Sequence, residues 1–166
     1  MAWLWENRGD DRAALKHAQR GLELFTAAGD PLDEARAYNA VGWYQARLGE
    51  FGAALVNCTR ALEMTRDQDR AGQYGVLDSL GFIARGLGRH EEALDYYDQA
   101  LALNRELGNV YLQADILAGI GAVRADIGDT AAARQHWRQA IDLYRTQHRQ
   151  NDVERVQRML DALDGG

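Results

Sequence analysis

The sequence predicts an all-α chain built from repeated helical hairpins, and three observations carry that prediction. Proline occurs once in 166 residues, at Pro31, and long helices are where proline is least tolerated, since it removes a backbone donor and clashes with the preceding turn. Small residues recur in register. Gly9, Gly49, Gly88 and Gly128 are separated by 40, 39 and 40 residues, and Ala14, Ala54, Ala93 and Ala133 follow at the same steps. Gly21, Ala61, Ala100 and Ala140 form a third column, and Gly42, Gly81 and Gly121 a fourth. Between these columns apolar residues recur at spacings of three and four, the period of one helix face.

The elements follow in order. Met1 to about Arg8 reads as the end of an incomplete first helix, and the second helix of that partial repeat (1–30) starts after Gly9, with Asp10 as its N-cap. Gly29-Asp30-Pro31 reads as helix stop, N-cap and first helical residue. The repeat 31–69 places Tyr38, Val41 and Gly42 on its first helix and Ala54, Cys58, Ala61 and Leu62 on its second. In the repeat 70–109, Leu77, Leu80, Gly81 and Ala84 mark the first helix. Leu87-Gly88 ends it, because glycine suits the left-handed position past a helix end. A second helix starts at His90 and carries Ala93, Leu94, Tyr97, Ala100 and Leu101. Gly108-Asn109 then turns into the repeat 110–150, with Leu117, Ile120, Gly121 and Arg124, an N-cap at Asp129, and then Ala133, Trp137, Ala140, Ile141 and Tyr144. His148 falls in a polar turn, and 151–163 is an amphipathic helix with Val153, Val156, Met159, Leu160 and Leu163 on one face, suited to cover the last repeat. The glycine and alanine columns let paired helices approach closely. The larger Cys58, Tyr97 and Trp137 are expected to fill the gap toward the neighbouring repeat. A partial start and a covered end read as the C-terminal part of a longer protein.

These residues carry a resemblance. A large residue, an apolar-Gly pair, a turn with glycine and then spaced alanines resemble the tetratricopeptide repeat, over about Trp3 to Tyr144. The period of 39 to 40 exceeds that family's usual roughly 34, and Arg66, Arg105 and Arg145 stand where a closing proline often sits. The segments "ALALNRELGN" and "RLGEFGAAL" resemble the C-terminal repeats of SARP-type antibiotic-biosynthesis regulators. The resemblance implies a right-handed α-solenoid of about three and a half hairpins plus a capping helix, forming one domain over 1–166. It also implies a concave groove lined by the first helices. Trp3, Trp43 and Phe82 would then form an aromatic ladder, with Arg36, Asn39, Arg47, Asp78 and Arg85 beside them. Aromatics dominate interface hot spots, and Asn and Arg bind backbone and carboxylate groups. The carboxylate clamp of chaperone-binding members is not expected, since Trp43, Gly75 and Ser79 replace residues it needs.

Function classes narrow accordingly. The net charge is −6, and with no basic run the chain lacks the cations that would neutralise phosphates; no direct nucleic-acid contact is expected. Eighteen of the nineteen basic residues are arginine, Lys16 being the exception, which reads as codon bias. Cys58 is the only cysteine, so an internal disulfide is impossible and a buried inert thiol is expected. No signal peptide, membrane span, phosphate loop, catalytic constellation, metal site or cofactor motif is read. His17 and His136 share a column too far apart for one metal, and His90 lies at a helix start. Asp10-Asp11 and Asp67/Asp69 are assigned to turns, as caps. The expectation is a cytoplasmic, non-catalytic scaffold for a protein or peptide, serving as the sensor or regulatory segment of a bacterial signalling protein or transcription regulator. Self-association through Trp3, Leu4 and Trp5, and a small-molecule or pheromone sensor, are the alternatives.

Overall fold

The computed structural model describes residues 8–65, 69–108 and 110–164. Among these the chain is all-α, with eight helices: α1 (Arg8–Ala28), α2 (Pro31–Arg47), α3 (Phe51–Thr65), α4 (Arg70–Gly86), α5 (His90–Leu107), α6 (Val110–Asp126), α7 (Thr130–Thr146) and α8 (Gln150–Asp164). None is long and apolar enough to cross a membrane. They fall into two compact units, Met1–Arg89 and His90–Gly166. The boundary lies between α4 and α5.

The helix ends are set by local chemistry. The Asp30 carboxylate accepts from the Leu32 and Asp33 amides at 3.0 and 3.2 Å, with Pro31 as the first helical residue. Asp69 caps α4 through the Gly72 amide at 2.8 Å, and Asp129 caps α7 through Ala132 at 3.1 Å. Each such cap contributes about 1 kcal/mol. Asp10 is not a cap. α1 already begins at Arg8, so Asp10 and Asp11 lie in its first turn, where the helix dipole favours carboxylates. At the C-terminal ends of α2, α4, α6 and α7 the chain turns left-handed at Gly49, Gly88, Gly128 and His148. The next amide then reaches back to the helix, as in Glu50 to the Gln45 carbonyl and Arg149 to Tyr144, both at 2.9 Å. This is the Schellman closure, which satisfies carbonyls the helix leaves open.

In the first unit α2 packs on α1, α3 and α4, and α3 on α4. Its core is small at the crossings, with Ala35, Ala54, Cys58 and Ala61 fully buried, and larger on α4, with Leu77, Leu80 and Ile83. A Cβ on Gly42 would collide with the Cys58 sulfur and crowd the Ala54 carbonyl. In the second unit α6 packs on α5 and α7, and α8 on α7. Val153, Val156 and Leu160 of α8 join Trp137, Ile141 and Tyr144 of α7 in one core, with Met159 and Leu163 at its edge. Cys58 and Trp137 pack closely inside their own hairpins, and Trp137 shares a core with α8 beyond its hairpin. Each seats on the glycine of its own hairpin, Gly42 and Gly121, because those glycines leave the space. Tyr97 does reach the next hairpin, where its ring lies on Gly119.

Candidate functional site

The first unit brings two of the expected groove residues together. Trp43 of α2 and Phe82 of α4 have ring centroids 5.3 Å apart at 52°, a tilted arrangement that suits the aromatic quadrupole. Both are half-buried. A third ring, not foreseen, joins them: Phe51, the first residue of α3, lies 6.3 Å from Phe82 at 59°. It takes that place because Gly86 has no side chain, and a Cβ there would collide with the Phe51 ring. Phe82 therefore sits between two aromatics, leaving a partly exposed apolar surface.

The polar residues assigned to the groove have other engagements. Arg36 is exposed and pairs with Asp69 at 3.0 Å and Asp33 at 3.2 Å. The hydrogen bond it donates to Asp69 holds its guanidinium above the ordinary pKa. Arg47 donates to Asp11, at 3.1 Å from Nε and 3.0 Å from Nη2, tying α2 to α1 through a buried carboxylate. The Asn39 side-chain carbonyl lies 3.5 Å from the Cys58 sulfur, and its amide nitrogen faces Gly75 of α4. Asp78 and Arg85 are half-buried, each with partners of its own. Trp3 lies outside the described residues, as do Leu4, Trp5, Arg66, Asp67 and Asn109. Cys58 is fully buried, and burial pushes its thiol up to about 12, which leaves it protonated and unreactive at neutral pH.

Sequence reasoning missed a polar cluster in the second unit. Asp115 of α6 accepts from Arg149 Nη1 and Nη2, both at 2.8 Å, and from the Tyr144 hydroxyl at 2.8 Å. Arg149 Nε donates to Asp152 at 2.9 Å, and Arg155 joins Asp152 at 3.0 Å. The Arg149 guanidinium lies 4.5 Å from the Tyr144 ring centroid and 5.1 Å from that of Tyr111. Burial, then the Asp115 charge, raises the Tyr144 phenol. The hydrogen bond to Asp115 raises the Arg149 guanidinium against the desolvation that would lower it. One signal was available: Asp115 is the only charged residue between Val110 and Val123, and a carboxylate in an apolar helix demands a cation or donors. Between α7 and α8 a shallow depression of about 420 Å³ is lined by Arg138, Ile141, Asp142, Arg145, Gln157 and Leu160.

Residues 74–146 match the tetratricopeptide repeat family model. The regulatory protein AfsR of Streptomyces griseus is 32% identical over 142 residues, 85% of this chain but 15% of AfsR. The photosystem I assembly protein Ycf3 of Synechococcus elongatus is 30% identical over 112 residues, 67% of this chain and 64% of Ycf3. The chain thus spans less than two thirds of either relative. Among solved structures, a Rap protein complexed with competence and sporulation factor superposes with a TM-score of 0.85 at 16% identity, over 95% of this chain and 44% of that one. The apo form of RapI gives 0.78 at 14%, over 96% and 58%. At such identities the likeness is one of fold.

Proposed function

We propose that this chain, a tetratricopeptide-repeat domain of the long-period type that resembles the C-terminal repeats of SARP-type bacterial regulators, holds a protein or peptide partner and does not catalyse a reaction. The observation that carries the reading is the half-buried aromatic surface of Trp43 and Phe82, 5.3 Å apart on two helices of one unit. Rings fixed against each other present apolar area with little conformational entropy left to lose on binding. The likeness to AfsR, a regulatory protein, supports a place in the regulatory segment of a larger cytoplasmic signalling protein. The Rap protein, complexed with competence and sporulation factor, supports recognition of a partner by this fold. The net charge of −6 disfavours direct contact with nucleic acid.

The test is capture of a partner from source-cell lysate by the natural chain and by a Trp43→Ala/Phe82→Ala variant whose helicity has been checked. Loss of capture by the folded variant supports the aromatic site. Equal capture sinks it. One observation favours self-association as a second reading: Leu24 and Phe25 of α1 are 56% and 38% exposed, and apolar patches of that kind mark interfaces. Light scattering over a concentration series distinguishes a strict monomer from a self-associating chain. Sensing of a small molecule, the remaining alternative, requires a thermal shift with the compound alone.

A further inference from the structure

The cluster around Asp115 has the parts of an arginine receptor. The Asp115 carboxylate meets the guanidinium edge-on with two bonds of 2.8 Å, the fork geometry that recognises arginine and that a lysine ammonium cannot reproduce. Tyr144 and Tyr111 place rings 4.5 and 5.1 Å from the guanidinium carbon, within cation–π range. Asp152 accepts from the remaining Nε–H at 2.9 Å.

Three features separate this arrangement from an ordinary structural ion pair. One wall and the carboxylate are held without Arg149: Tyr144 is fully buried in the α6–α7–α8 core, and its hydroxyl donates to Asp115 at 2.8 Å. The box also reaches solvent. Tyr111 is 54% exposed, and the Asp115 side chain retains 30% of its accessible surface. Finally, Arg149 arrives from the turn that follows His148, the one non-glycine residue with positive φ (57°) among those described. The resident guanidinium is thus carried by a turn whose backbone is strained.

We propose that Asp115, Tyr111 and Tyr144 form a guanidinium-binding site whose resident is Arg149, and that an arginine side chain of a peptide partner exchanges for it. The net charge of −6 favours the approach of such a cationic partner. The site stands independently of the Trp43–Phe82 surface, so failure of one reading leaves the other intact.

Two measurements on the full chain test it. The first vacates the box in Arg149→Ala and adds N-acetyl-arginine amide, with the lysine amide as control. Arginine amide is expected to raise the melting temperature of Arg149→Ala, the lysine amide to do so about tenfold more weakly by concentration, and Arg149→Ala/Asp115→Asn to show no selectivity. Should Arg149→Ala fail to fold, recovery of its helical circular dichroism by arginine amide but not lysine amide supports the site equally. Equal response to the two amides overturns the site. The second follows the Arg149 Nε resonance of the natural chain during titration to about tens of millimolar arginine amide, the range set by competition with a tethered resident. Movement toward the free-arginine position, absent with lysine amide, is expected. A resonance that stays put overturns the exchange.

Discussion

His148 closes α7 with φ of 57°, a conformation that places Cβ against the following carbonyl at roughly 1–2 kcal/mol for an L-residue. The preceding closures use glycine at the matching place, Gly49, Gly88 and Gly128. His148 is exposed, so its side chain contributes little that would offset this strain. His148→Gly is therefore expected to stabilise the chain by about 0.5–1 kcal/mol, after the extra unfolded-state entropy of glycine. In a chain of this size that is a rise of about 1–4 °C in thermal unfolding; a lower melting temperature would contradict the strain argument. Cys58 makes a second prediction at this scale. Its thiol is raised from 9.0 to about 12 by burial, so the neutral form is the one the fold favours. The stability linked to it is complete below about pH 9 and is lost as pH climbs toward 12. At pH 8 a disulfide reagent should label Cys58 only through opening of the structure, with a rate that climbs with urea. Rapid labelling without denaturant would place the thiol at the surface.

At the scale of helices, the glycine columns were legible because each answers one steric demand that recurs once per repeat. Gly121 shows its strength. A Cβ there would run into the Trp137 indole, which is buried and held by its Nε1–H to the Ala118 carbonyl at 3.1 Å, so the ring has nowhere to retreat. Gly121→Ala should cost about 1–3 kcal/mol as an overpacking change, read as a lower urea midpoint with unchanged slope. What the sequence did not disclose lacks a period. Phe51 meets Phe82 because of a missing side chain at Gly86, and Arg149 finds Asp115 34 residues away; neither Phe51 nor Arg149 falls in a repeated column. The resemblance places Arg36 and Arg47 beside the groove as groups for a partner's carboxylate, while carboxylates distant in the chain, Asp69 and Asp11, engage them. The Asp10 cap failed for a related reason. A Gly-Asp pair copied from other repeats has no capping role once the helix starts before it. Tyr144 adds a pH signature to its element. Its phenol is raised from 10.0 by burial and by Asp115, so its contribution is whole below about pH 10 and disappears above it. Tyr144→Phe gives up the hydrogen bond to Asp115 at pH 7, about 1–3 kcal/mol. It should then lose less stability than the natural chain between pH 7 and 10.5, by urea midpoints; parallel losses would remove Tyr144 from the alkaline transition.

For the molecule as a whole, charge bears on which partners approach more than on which one is held. A net charge of −6 and a pI of about 5.2 set which partners approach, while the identity of the partner depends on side chains that no composition reveals. Charge also separates the two proposed sites. An apolar segment on Trp43 and Phe82 is held by area removed from water, which moderate salt leaves almost unchanged. An arginine entering beside Asp115 is drawn by the field of an acidic chain, and that field is screened over about 10 Å at 0.1 M salt and 3 Å at 1 M. Association of an arginine-bearing peptide is thus expected to slow markedly between 0.05 and 0.5 M sodium chloride, chiefly in the on-rate. Capture at the aromatic surface should hold across the same range, and Asp115→Asn should flatten the salt dependence of the first process without touching the second. Stopped-flow fluorescence with a labelled peptide reads both. If every association fell equally with salt, in Asp115→Asn as in the natural chain, binding would be a general attraction to acidic surface, and neither site would be its seat.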